Sequence, residues 1–246
     1  MARDQEVGIG ETMRRPRAIL FDFGDTLLHT ERMDYVGATA DMFARANNPR
    51  GVPLERFVEA LEDMRGDLDT RRTESLVEIP LQAYHRLLYE RLGMSFDMSP
   101  TAVAWEFWRR AEVMSPAPGV HALLEKLASR HIPVAVVSNT IMPAEVIRSE
   151  LARHHLDGFF RFIMASAEYG VRKPHPALFR TAAGKFDLPP ADIWFVGDSL
   201  AADVAGAQGV GMVAVWYNHR GAGVPAAPVP DLTIGSLAEL QEHVPR

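Results

Sequence analysis

From residue 116 onward the chain repeats one pattern, and that repetition limits its possible folds more than any other feature. Short apolar runs alternate with segments whose apolar residues recur every three or four positions. The runs are "IPVAVVSN" (132–139), "FRFIMAS" (160–166), "DIWFVGDS" (192–199) and "MVAVWYN" (212–218), with a shorter "DLTIG" near the end. They are strand-length and nearly continuous in apolar character, so both faces of each strand must be buried. Helical segments between such strands supply the covering layers of a parallel sheet. A further run at 17–24, "RAILFDFG", has the same character and belongs to the same sheet.

Between that first strand and the rest lies a block of a different kind, residues 31–115. "MDYVGATADMFARA", "LERFVEALEDMRGDL", "LQAYHRLLYERLG" and "TAVAWEFWRRAEVM" all carry helical periodicity. Pro53 and Pro100 stand where helices start and Gly93 where one stops. With no convincing strand inside it, the block reads as an all-helical insert. The core is then residues 1–30 and 116–246, with 1–16 a flexible leader. "DLDTRRTES" (67–75) reads as a solvated link between helices, although Arg71 or Arg72 could meet a substrate anion. Trp105, Phe107 and Trp108 read as packing within the insert, an aromatic substrate wall being the alternative. His29 is either a proton shuttle or a solvent-facing residue.

Composition excludes several functions. The net charge of −6, without a long run of either sign, gives no basic surface for nucleic acid. The chain has no cysteine, which rules out disulfides and thiolate metal sites. No apolar stretch approaches the roughly 20 residues that span a bilayer. A cytoplasmic protein without nucleic-acid or membrane partners is expected.

In a sheet of this type ligands bind beyond the carboxyl ends of the strands. Asp22 ends the first strand, Ser138-Asn139 the second, and Asp198 the run at 192–199. Asp22 and Asp198 on one edge would repel each other unless a cation lay between them. An all-oxygen donor set suits Mg²⁺. Asp203, one turn into the next helix, could point back at the same place; a helix-capping role for Asp198 and Asp203 is the alternative. Ser138 and Asn139, ahead of a helix near Pro143, offer hydroxyl, amide and backbone N–H groups to a phosphate, though they would serve an ordinary turn equally well. Lys173 is one of only three lysines in the chain. Its loop opens on the same edge, where an ammonium would neutralise both Asp22 and a bound phosphate.

"ILFDFGDTL", "VVSN", "RKP" and "FVGDSLAAD" resemble, in order, the four motifs of the haloacid dehalogenase-like hydrolase superfamily, over about residues 17–220. The resemblance implies an α/β fold, a Rossmann-like parallel-sheet core with an inserted all-helical cap domain at 31–115. It implies a Mg²⁺-dependent phosphatase acting on a small phosphomonoester through an aspartyl-phosphate. Asp22 would be nucleophile and metal ligand, and Gly24 would lend its carbonyl to the metal. Ser138, helped by Asn139, would bond the transferring phosphoryl group. Lys173 would hold Asp22 and phosphate together. Asp198 would ligate Mg²⁺, with Asp203 as ligand or support, and Thr26 would brace the nucleophile loop.

One position departs from the phosphatase pattern. The family's second acid, two residues after the nucleophile, is Gly24 here. Asp25 lies one position further on and is expected to be a turn residue, since adjacent residues of extended backbone point to opposite sides. Two other readings remain open. A 2-haloacid dehalogenase also lacks that acid and needs no metal, but carries a small neutral residue where this chain has Asp198. A binding protein on the same fold would retain the site without turnover. A phosphonoacetaldehyde hydrolase would need a cap lysine, and residues 31–115 contain none.

Overall fold

The computed structural model describes residues 14–223 and 226–244; most of the expected leader, residues 1–13, lies outside them. The strands are β1 (Ala18–Phe21), β2 (Leu28–Met33), β3 (Glu112–Pro116), β4 (Val134–Ser138), β5 (Phe160–Ala165), β6 (Ile193–Gly197), β7 (Val213–Tyr217) and β8 (Leu232–Ile234). Six of them form one parallel sheet in the order β5-β4-β1-β6-β7-β8. β1 is central, so the chain winds outward on both sides of it and leaves a crevice at its carboxyl end.

Alternation along β1 explains the two-sided burial. Ile19 and Phe21 join one apolar cluster with residues of α5 (Val120–Ser129), α6 (Ala144–Arg153) and α10 (Leu237–His243), the helices numbered in chain order. Ala18 and Leu20 join a second with residues of α8 (Pro176–Phe186) and α9 (Ala205–Gln208). Every residue of β1 is fully buried. Each such Leu, Ile or Phe contributes about 1.5–3 kcal/mol.

The helical insert comprises α1 (Tyr35–Arg45), α2 (Leu54–Ser75), α3 (Leu81–His85), a π turn (Arg86–Glu90) and α4 (Pro100–Ala111). The remaining short helix of the core is α7 (Ser166–Tyr169). Asp34 caps α1 by accepting from Gly37 N at 2.8 Å, and Ser99 caps α4 by accepting from Ala102 N at 3.2 Å. Phe57, Ala60, Leu88, Tyr89, Leu92 and Met94 form the insert's own apolar cluster.

Two details differ from the sequence reading. First, the insert hangs from an antiparallel ribbon, β2 paired with β3, with Leu28 opposite Pro116. The outer half of β2 is exposed, so it carries little apolar signal. Its partner is also far away in sequence, and no local pattern reveals that pairing. Second, residues 67–75 are not a link: they complete the 22-residue helix α2. Polar composition alone does not end a helix, and this stretch contains no proline. No helix among the described residues is long and apolar enough to cross a membrane.

Candidate active site

β1 stops where Asp22 leaves the ladder, its N–H still bonded to Val196 O at 2.9 Å. The chain then turns sharply. Leu27 N donates to Phe23 O at 2.9 Å, and Asp25 takes a left-handed φ of 56°. Asp25 is therefore a turn residue, as expected. Its carboxylate pairs with Arg220, and Oδ1 lies a long 3.5 Å from Thr30 N. Thr26 is fully buried at this turn, and its hydroxyl oxygen has no hydrogen-bond partner among the described residues. Apart from its chain neighbours, a Cβ placed on Gly24 would meet nothing within 4 Å, so a side chain at this position would project into open space.

Carboxylates from three elements converge here. One oxygen each of Asp22, Asp198 and Asp203 lies within 4.8 Å of the others. Lys173 Nζ lies 2.7 Å from Asp22 Oδ1 and 2.7 Å from Asp203 Oδ1, and only 2 % of Lys173 is exposed. The lysine loop is held by Asn139 in a reciprocal pair: Lys173 N donates to Asn139 Oδ1 at 2.7 Å, and Asn139 Nδ2 donates to Lys173 O at 3.0 Å. Ser138 is buried at the adjacent end of β4. Asp203 comes off a π turn (Leu200–Val204), and its Oδ2 accepts from Ser199 N at 3.0 Å.

The electrostatics follow from burial and crowding. Burial pushes Asp22 up to about 6, with Lys173 opposing and Asp203 adding to the rise. Asp198 is likewise pushed up to about 6, by burial first and the Asp22 charge second. Burial also raises Asp203 despite its lysine. For Lys173, burial works against the ammonium, but Asp203 and Asp22 outweigh it and the pKa rises. Three carboxylates face one ammonium. The donor set is all oxygen, and two negative charges remain for a hard divalent cation to balance, so the residues fit Mg²⁺.

Asp22, Gly24, Asp25, Ser138, Asn139 and Asp198 line one end of a cavity of about 440 Å³ that extends into the insert. Its other walls include Phe57, Leu61, Tyr89, Phe107 and Trp108. Phe107 and Trp108 therefore pack and line the cavity at once, whereas Trp105 only packs against the core cluster. Tyr35 donates its hydroxyl to Glu112 on the cavity wall. Burial pushes His85, also on the wall, down to about 4, so it is neutral at pH 7. Arg72 lines the cavity with its Nε 2.8 Å from Glu78 Oε1; the side chain of Arg71 lies outside what is described. His29 is not among the described lining residues. It stacks on His219 instead, with ring centroids 4.5 Å apart.

Other residues that hold the site escaped the sequence reading. Gly197 gives Asp203 its place, because a Cβ there would overlap the Asp203 carboxylate. A glycine inside an apolar strand run is the available signal for such close approach. Trp216 Nε1 donates to Asp198 O at 2.9 Å. Glu78, buried where the insert meets the core, accepts from Arg72 and from Ser166 Oγ at 2.8 Å each. Nothing in the local sequence marks either contact.

A sheet-edge acidic cluster with a buried lysine, beneath a helical insert, defines a class of hydrolase. A profile of the haloacid dehalogenase-like hydrolases matches residues 16–211, and the chain belongs to that family. It is 30% identical over 216 residues to the glyceraldehyde 3-phosphate phosphatase of Pyrococcus furiosus, covering 84% of this chain and 82% of that protein. It is 26% identical over 231 residues to a phosphoglycolate phosphatase of Photorhabdus laumondii, covering 91% and 90%. Among solved structures, a 2-haloacid dehalogenase from Pseudomonas syringae pv. tomato aligns with a TM-score of 0.68 and 26% identity, over 92% of this chain and 97% of the other.

Proposed function

We propose that this hydrolase is a Mg²⁺-dependent phosphatase that acts on a small phosphomonoester through an aspartyl-phosphate on Asp22. The observation that carries the reading is Lys173 Nζ, 2.7 Å from both Asp22 and Asp203 in a cluster that includes Asp198. The phosphatases among its relatives support it.

Asp22 attacks phosphorus, and the P–O bond to the leaving group breaks. Lys173 spreads positive charge over both Asp22 and the transferring group. Ser138, with backbone N–H groups near Asn139, bonds the phosphoryl oxygens. Water then attacks phosphorus, releasing phosphate and restoring the Asp22 carboxylate. Mg²⁺, held by Asp22, Asp198, the Gly24 carbonyl and Asp203, directly or through water, would neutralise phosphate charge. The insert serves as a cap that excludes water and selects the substrate. Thr26 braces the nucleophile turn from below.

The test is hydrolysis of p-nitrophenyl phosphate with and without Mg²⁺, beside Asp22→Asn. Turnover that needs both Mg²⁺ and Asp22 supports the reading. Indifference to either one rejects it. A second reading, a 2-haloacid dehalogenase, is favoured by Gly24 in place of the acid and by the similar Pseudomonas structure. Chloride release from 2-chloropropionate without metal would establish it. Against it, a metal-free site would leave two of the three crowded charges of Asp22, Asp198 and Asp203 unbalanced by Lys173.

A further inference from the structure

The cavity above Asp22 is much larger than a phosphoryl group needs. At about 440 Å³ it falls within the roughly 300–1,000 Å³ of small-molecule sites. Its wall is aromatic from the nucleophile outward. Phe23, the residue after Asp22, lies 6.3 Å from Trp108 between ring centroids. Next along the helix, Phe107 stacks on Tyr35 at 5.9 Å and 8°. Further in, Phe57 meets Tyr89 at 5.2 Å. Two of the wall's polar side chains are already engaged: Tyr35 bonds Glu112, and Arg72 bonds Glu78 behind the wall; Thr39, Arg65 and His85 also line it. Such a surface favours a flat, apolar guest through burial and ring–ring contact.

A second observation, independent of the first, concerns the leaving group. Gly24 itself brings no acid to the open space beside it, and the carboxylate of Asp25, which lines the same cavity, is paired with Arg220 instead of being free to protonate a departing oxygen. A phenolate, whose acid has a pKa near 10, leaves unprotonated far more readily than an alkoxide.

Resting on the phosphatase reading above, we propose that the substrates are aryl phosphates: phosphomonoesters whose oxygen is borne by an aromatic ring seated among Phe57, Tyr89, Phe107 and Trp108. Asp22 forms the bond to phosphorus. The aryl C–O bond stays intact, the P–O(aryl) bond breaks, and the electron pair leaves on the phenolate oxygen, which takes its proton from solvent. Water completes the turnover as described.

Four substrates separate the two causes in the Mg²⁺-loaded protein. 2-Naphthyl phosphate has the ring and the good leaving group. Acetyl phosphate has only the leaving group, 2-naphthylmethyl phosphate only the ring, and glycerol 3-phosphate neither. The expected kcat/KM for 2-naphthyl phosphate exceeds each of the others at least 100-fold, although acetyl phosphate is the more reactive compound in water. Acetyl or glycerol phosphate hydrolysed as fast, in an Asp22-dependent way, overturns the inference and leaves the phosphatase reading standing. No turnover of any of the four overturns both as substrate assignments. Calorimetry with 2-naphthylmethylphosphonate and methylphosphonate reads the cavity without chemistry. At least tenfold tighter binding of the naphthyl compound is expected, with the ratio shrinking in Leu61→Trp, which fills the cavity from α2. Equal affinities for the two phosphonates reject the aromatic seat.

Discussion

At the scale of single residues, two glycines govern what the site can do, and both make predictions. In the proposed mechanism Gly24 stands where a second carboxylate would act, and a Cβ there would meet open space. Gly24→Asp should fit without displacing a neighbour. Positioned acid–base catalysis is worth about 10²–10⁴ in rate, so hydrolysis of an alkyl phosphate should rise at least tenfold. Aryl phosphates should gain less, flattening a plot of log kcat/KM against leaving-group pKa that is steep in the parent protein. An unchanged slope would mean that the open space does not address the leaving oxygen. Gly197 is the opposite case, since any Cβ there overlaps the Asp203 carboxylate. Gly197→Ala should push Asp203 off Lys173 and raise the half-saturating Mg²⁺ concentration at least tenfold. If the Mg²⁺ titration of the alanine variant overlays that of the parent, Asp203 has no part in holding the ion.

At the scale of elements, the junction between insert and core carries the least visible design. Leu81 N bonds Ile141 O at 2.8 Å, and Arg172 N bonds Leu76 O at 2.9 Å, one residue before Lys173. Glu78 sits between them, buried, with Arg72 and Ser166 as partners. Removing its carboxylate strips both of an acceptor; Glu78→Ala should cost about 2–3 kcal/mol in urea unfolding. It should also raise KM, because Arg72 on the cavity wall loses its bond to Glu78. A loss below about 0.5 kcal/mol would make the contact incidental. This junction also marks where sequence stopped being informative. The strands of the sheet and the polar residues ending them were legible, because two-sided burial writes itself as continuous apolar runs. Asp22, Ser138, Asn139 and Asp198 were readable for the same reason, as polar punctuation at one sheet edge; Lys173 stood out as one of three lysines in a loop opening on that edge, and Asp203 by its place one turn into the following helix. The β2–β3 ribbon, the full length of α2, Glu78 and the Asp25–Arg220 pair were not. Each depends on partners distant in sequence or on a solvent-facing surface, where a local pattern has nothing to record.

At the scale of the whole molecule, the fold concentrates charge where the sheet opens, and with the proposed Mg²⁺ that would couple stability to both protons and the cation. Asp22 and Asp198 are both pushed up to about 6 by burial, from the ordinary 3.8. A carboxylate with a raised native pKa holds its proton in the folded state at pH values where the unfolded chain has released it. In the absence of metal, stability should therefore fall as pH rises from about 4 to about 6 and level off above that. A divalent cation reverses the sign, because it binds the ionised carboxylates of the folded site alone and competes with the protons. The difference in Tm between Mg²⁺-containing and EDTA-containing samples should be near zero at pH 5 and grow through pH 6 to a plateau by pH 7.5. Replacing Asp198 by Asn should weaken both effects together, since it removes one ligand and one titrating group at once. A Tm difference that is flat across this range would mean that cation and proton bind elsewhere. A strand-end cluster that is unfavourable in the bare protein and satisfied by its ion is expected of a fold that spends stability on a pre-assembled site.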